Sequence, residues 1–458
     1  MKKKILAVLL ASVMVFSLSA CGQGGGSTTS EGTSSSESSE EASNESNDSD
    51  SESSNESSSE SSGDGITLTL AMIGDGGRKE DLDGLMQQYT DMTGVKVDTI
   101  YIPTGWGEYC TKIQSMVGGG DDLDLAILAI EGVSKFYELG IAEPIDDWIE
   151  ANPEVAQEIL DDTSPSFQRV FQNDGKTYAF PFSYNNVVMH FSLDRLEEAG
   201  LEVPGENWDK DEFLRYCEAL TTEKDGVKQY AIAVPDGYFV AEAWLLNNGA
   251  AFMNEDFTKS EINSPASVEM FQLWQDLVYE YGYAPIPEEN VSSVTQIING
   301  QTAMGTWGRW PTQNYVADDF RNVEIQYLPS FSVNQQIGGV DGIFTLANSK
   351  HKNEAKDLAA WMSQKDFAGQ YLTVGNIPAS NSLAAEKISE LGIPHNYEIF
   401  YAGSNTDIYK PVSAPPQFTE CSDIVLTAIS EICVNRSDVQ ETLDRAAADM
   451  DALLAENQ

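Results

Sequence analysis

Two tryptophans three residues apart, Trp307 and Trp310, bracket Gly308 and Arg309 at the end of the stretch Ala303-Met304-Gly305-Thr306. Residues of these types recognise rather than react. An indole offers a flat apolar face, and a guanidinium offers several donors in one plane. A strand this short has little room to bury both indoles, so ligand contact is expected of them and of Arg309. Glu131 stands just beyond the apolar run Leu123 to Ile130, where a carboxylate at the mouth of a buried strand can accept two hydroxyl bonds. Asp75, in the turn Gly74-Asp75-Gly76-Gly77, is placed by the same logic, and Trp106, between Gly105 and Gly107, reads as an aromatic on a loop. Stacking planes beside hydroxyl-binding groups are the chemistry of holding a polyhydroxylated ring.

Bond-making chemistry has no comparable support. His190, His351 and His395 are far apart and lack metal-ligand spacing. The chain has no Gly-x-Ser-x-Gly elbow and no phosphate-binding Gly-x-x-x-x-Gly-Lys-Ser/Thr loop. With 73 acidic residues a glycosidase pair can always be imagined, but only abundance supports it. The run Gly118 to Asp124 faintly resembles a calcium loop without its oxygen-ligand spacing, and reads as a turn. The chain is read as a binding protein, not an enzyme, with no cofactor and no metal.

The net charge of -47, from 26 basic and 73 acidic residues, excludes nucleic acid and adsorption to anionic lipid. An anionic ligand is disfavoured on the same ground. At the start, Lys2, Lys3 and Lys4 precede an apolar run from Ile5 to Leu18, then Ser19, Ala20 and Cys21. Such a segment is an export signal over 1–20, too short to span a bilayer. Its end resembles the lipobox of bacterial lipoproteins, which implies that Cys21 is acylated and holds the chain to the cell membrane on its extracellular face. Residues 21–65 are Ser-, Gly- and acid-rich with no aromatic residue, so a disordered tether is expected. As a flexible coil it would span roughly 35–40 Å. A long charged tether favours a Gram-positive surface over a periplasm. Four further cysteines, Cys110, Cys217, Cys421 and Cys433, leave open either buried thiols or disulfides, with Cys421–Cys433 the nearest pair.

The elements that must position these residues follow from periodicity. Strands are predicted at 66–73, 95–100 and 123–130, alternating with helices at 81–92 and 109–117, the opening of an α/β domain. A strand pair is predicted at 177–182 and 187–191. Further strands fall at 230–235, 303–307, 323–328 and 343–347. Helices fall at 193–199, 210–220, 241–247, 267–279, 291–298, 353–362, 366–371, 419–433 and 439–454. That is more than one ordinary sheet needs.

Three blocks carry a family likeness. The first is Gly175-Lys176-Thr177-Tyr178-Ala179-Phe180-Pro181 with Gly200-Leu201 and Trp208-Asp209. The second runs from Ile298-Asn299-Gly300 through Ala303-Met304 to Trp310. The third runs from Gly338-Gly339 through Lys350 and Glu354-Ala355 to Trp361. In this order they resemble the extracellular solute-binding proteins of ATP-driven (ABC) importers, in the maltose-type branch, over essentially all of 66–458. The chain departs from the pattern at Phe191-Ser192, where the family has Tyr-Asn. It also spaces Pro204 from Trp208 more widely.

The resemblance implies two α/β lobes joined by hinge crossings around a cleft, with 66–180 plus 338–378 as one lobe and 181–337 plus 379–458 as the other. It implies that Trp310 stacks on a sugar ring, that Glu131 matches an acidic ligand site, and that Tyr184 and Asn185 lie near the cleft. It further implies that Trp244 offers an aromatic from the second lobe, and that Asp341, at the second crossing, binds ligand or turns the chain. The expected function is capture of a neutral carbohydrate by a monomer and its delivery to the importer's permease subunits. A polyamine or other small-solute binder, and a structural surface lipoprotein, are the alternatives.

Overall fold

The computed structural model describes residues 65–74, 79–288, 291–371, 377–387, 392–402 and 409–456. The expected signal segment, Cys21, nearly all of the tether, and Asp75 lie outside the described residues.

Fourteen strands are described. They are β1 (Thr67–Ile73), β2 (Lys96–Ile102), β3 (Leu125–Ala129), β4 (Gln172–Asn173), β5 (Lys176–Thr177), β6 (Pro181–Asn186) and β7 (Val188–Ser192). Then follow β8 (Thr222–Lys224), β9 (Val227–Ile232), β10 (Thr302–Trp307), β11 (Val323–Gln326), β12 (Gln336–Thr345), β13 (Ile377–Pro378) and β14 (Tyr409–Pro411). One sheet runs β13-β6-β12-β3-β1-β2, with β14 also on β12. The second runs β11-β7-β10-β9-β8, and β4 with β5 forms a small hairpin. In the first sheet β1 is parallel to β2 and β3, whereas β12 runs antiparallel to β3 and β6. β3 is buried along its whole length, which is why it reads as a continuous apolar run.

The chain passes from the first sheet to the second between Asn186 and Val188, returns between Gln326 and Gln336, and leaves β14 for the helix Phe418–Cys433. The strand from Pro181, expected to open the second lobe, therefore lies in the first sheet, as does β14. The strands near 181 and 188, read as a pair, belong to different sheets. A hairpin needs a turn, and the single residue Val187 between them makes a crossing instead.

The second lobe's core is built by the helices Lys210–Leu220, Tyr238–Asn247, Pro265–Tyr279, Phe418–Cys433 and Val439–Ala455 around the second sheet. Several start on side-chain caps. Asp209 accepts from Glu212 N at 3.0 Å, Ser264 from Ser267 N at 3.3 Å with Pro265 behind it, and Asp438 from Glu441 N at 2.9 Å. Cys110, Cys217, Cys421 and Cys433 are all buried free thiols. Cys421 and Cys433 share one helix, which holds them about 18 Å apart along its axis, beyond disulfide reach. Cys110 and Cys217 belong to different cores. Among the described residues no helix is long and apolar enough to cross a membrane.

Candidate functional site

A cleft of about 1170 Å³ opens where the two sheets meet. From the first lobe it takes the segment after β2, the end of β3 and the crossing residues Tyr184, Asn185 and Gly339 to Asp341. From the second it takes Asp236 to Val240, Ser292 to Thr295, Trp307, Trp310 and Asn314, with the start of the helix Phe418–Cys433 closing one side.

Glu131 sits in the first turn of the helix Ile130–Glu138, directly after β3. The helix dipole favours its charge there, but burial dominates and pushes its carboxyl up to about 7, with the Asp341 charge adding in the same direction. Its Oε2 is enclosed and has no hydrogen-bond partner, and Thr104 Oγ1 on the same wall is also without one. Buried polar atoms without a partner are uncommon in folded proteins and concentrate where function holds them. Asp341 also lines the cleft, pushed up to about 7 by burial and held down in part by hydrogen bonds from Ser183. Its Oδ1 accepts from Ser183 N at 3.0 Å and from the Ser183 hydroxyl, tying β12 to β6 where both cross.

On the opposite wall Trp310 is 37% exposed. Its ring lies 6.3 Å from that of Phe239, tilted by 36°, and both rings line the cavity. The space over Gly308 is filled by Trp310, since a Cβ built there would fall 2.3 Å from Trp310 Cζ3. Below it His190, fully buried, bonds to Gly308 O at 3.0 Å through Nε2 and to the Tyr315 hydroxyl at 3.2 Å through Nδ1. Because the carbonyl only accepts, Nε2 carries the proton and Nδ1 accepts from Tyr315. Burial lowers the imidazole to about 4, so it stays neutral. Among the described residues no group of three or more His, Cys, Asp or Glu is gathered to hold a metal ion.

The family model for bacterial extracellular solute-binding proteins matches residues 76–368. This chain belongs to that family. A binding protein of Brucella abortus (strain 2308) is 24% identical over 374 residues, covering 79% of this chain and 86% of the relative. The maltotriose-binding protein of Pyrococcus abyssi is 23% identical over 259 residues, covering 55% and 53%. Among solved structures, an ABC substrate-binding protein of Listeria monocytogenes in complex with cycloalternan superposes with a TM-score of 0.77 at 21% identity. It covers 86% of this chain and 100% of that one. The two-lobe fold is shared, and a solute-binding protein of this kind binds without catalysing.

Placed in the solute-binding protein, the expected ligand contacts divide. Trp310, Glu131, Asn185, Tyr184, Asp341, Trp106 and Trp307 all line the cleft. Trp106 is not on a loop: it opens the helix Trp106–Gly119 and meets Tyr109 edge-on at 5.7 Å. Trp307 is only 2% exposed, donates from Nε1 to Ser293 Oγ at 3.0 Å and packs on His190, so it shapes the wall without offering a face. Tyr184 lies against Phe167 and donates its hydroxyl to Phe400 O at 3.2 Å. Asn185 Oδ1 accepts from Arg309 N at 3.1 Å.

Two expectations are corrected. Arg309 is buried and absent from the cleft lining. Trp244 is likewise in the core, against Phe213 and Phe331, with Nε1 bonded to Thr306 Oγ1 at 3.2 Å. The helix Tyr238–Asn247 is apolar on nearly every side and almost wholly buried, so Trp244 follows its helix inward. The helix brings Tyr238 and Phe239 to the cleft, and Phe239, the less buried of the two, is a contact the sequence reading missed. The only signal for it was its position two residues after Gly237, at the helix start.

Proposed function

We propose that this protein is a lipid-anchored receptor that captures a carbohydrate, in the plainest case a neutral one, between its lobes and delivers it to the permease of an ATP-driven importer. What carries the reading is the cleft itself, with the half-open Trp310–Phe239 face on one wall and the unpartnered Glu131 oxygen on the other. A sugar ring answers both, stacking its apolar face and donating its hydroxyls. Relatives named for maltotriose and arabinooligosaccharide binding support it.

Closure follows from differential affinity. A ligand that bonds to both walls stabilises the closed arrangement over the open one, and the permease selects that form. Acylated Cys21 would hold the receptor, acting as a monomer, at the outer face of the membrane. A second reading, a small cation such as a polyamine, is favoured by the carboxylates Glu108, Glu131, Asp236, Asp341 and Asp423 around the same cavity.

The test is calorimetric titration of the mature chain against mono-, di- and oligosaccharides, with spermidine and amino acids as controls. Binding to one saccharide set is expected. Trp310→Ala should weaken it at least tenfold, about 1.4 kcal/mol. An unchanged Kd would remove Trp310 from the site, and heat from spermidine alone would move the reading to a cation receptor.

A further inference from the structure

The two walls of the cleft ask for different chemistries at once. Trp310, 37% exposed, and Phe239 line the cavity as neighbouring aromatic rings. The charged lining is wholly acidic, with Glu108, Glu131 and Asp341 on the first lobe across from them and Asp236 on their own, and among the described lining residues there is no lysine or arginine. The carboxylates are not equivalent. Asp341 already accepts from Ser183, and Asp236 from the Ser293 hydroxyl that in turn accepts from Trp307 Nε1. Glu131 Oε2 alone among these carboxylate oxygens is enclosed and without a partner. Its carboxyl lies close enough to Asp341 for that charge to raise it further.

A neutral hydroxyl donor would answer the unpartnered oxygen but leave the ionisation of two neighbouring buried carboxyls unfavourable. A cationic donor meets both needs, because an opposite charge favours the ionised form of each. A linear polyamine would satisfy the acids but could lay only a narrow methylene chain along Trp310 and Phe239, covering less of them than a ring. A solute with rings and an ammonium group uses both walls.

We propose that the solute is an amine-bearing saccharide whose rings lie along Trp310 and Phe239 and whose ammonium group is received by Glu131 beside Asp341. This rests on the carbohydrate reading and narrows it.

The experiment is calorimetric titration, at pH 6.5, of the mature chain carrying Cys21→Ser so that it stays in solution. The probes are a glucosamine trisaccharide, its fully N-acetylated form, cellotriose, maltotriose and spermidine. N-acetylation removes the charge and keeps the ring; cellotriose removes the charge without adding bulk. The amine is expected to bind at least tenfold tighter than both uncharged β-linked trimers, and Glu131→Gln to bring that ratio close to one. The wild-type comparison needs no variant, so a folding failure of Glu131→Gln would not spare the proposal. Equal or weaker binding of the amine while an uncharged trimer binds overturns the proposal and leaves the carbohydrate reading standing. Silence toward every saccharide, with or without heat from spermidine, overturns both.

Discussion

Glu242 is 1% exposed and lies on the helix Tyr238–Asn247, behind the cleft rather than in it. It accepts from Ser413 N at 3.0 Å, yet burial pushes its carboxyl up to about 7, and the Glu131 charge adds to the rise. A folded-state pKa raised above the unfolded one means that the folded chain holds the proton more tightly. The stability this contributes is present below about pH 4.5 and is lost as pH rises to about 7. His190, lowered to about 4, has the opposite sign and loses stability as pH falls below 6.5. A difference measurement separates the two. Glu242→Gln mimics the protonated carboxyl, so its stability relative to wild type should rise between pH 5 and pH 8, by at most about 3 kcal/mol. Urea midpoints at the two pH values read this, and a constant difference would show that Glu242 is charged throughout.

At the scale of the element, β10 and the turn after it contain a repeated tripeptide, Gly305-Thr306-Trp307 and Gly308-Arg309-Trp310. Each tryptophan lies over the glycine two residues before it. A Cβ on Gly305 would fall 1.9 Å from Trp307 Cη2, and one on Gly308 2.3 Å from Trp310 Cζ3 and 3.0 Å from Asn186 O. The glycines are seats for the indoles, so side-chain room rather than backbone freedom explains them. Gly308→Ala should therefore displace the exposed Trp310 and weaken ligand binding at least fivefold, while the melting temperature moves only a few degrees. Undiminished affinity in that variant would mean that the seated pose of Trp310 is not the binding pose. The spacing of the two tryptophans was legible in the chain; which of them keeps a face in the cleft was not. Trp307 is drawn inward by Ser293, His190 and Tyr315, which arrive from separate segments.

For the whole molecule, the Ser183–Asp341 clasp joins β6 and β12 beside the points where each crosses, and it contributes a wall of the cleft as well. Hinge and site are thus one structure, and occupancy should be felt as lobe closure. Small-angle scattering at saturating ligand is expected to show a smaller radius of gyration than the empty protein. Superimposable curves at saturation would exclude closure as the signal to a permease.

The alternating α/β order and the apolar run of β3 were legible in the sequence, because each depends on neighbours within a few turns of chain. So was the two-tryptophan block that led to the cleft, and Glu131 at the mouth of its strand. Tertiary structure decided the rest. It placed β6 and β7 in different sheets, because strand pairing is a contact between distant segments that local periodicity does not encode. It buried Trp244 and Arg309 and turned Phe239 outward, because a side chain's face depends on what packs against its element from elsewhere in the chain. And it set an unpartnered Glu131 oxygen opposite an aromatic wall, a juxtaposition of two lobes that no stretch of either lobe contains.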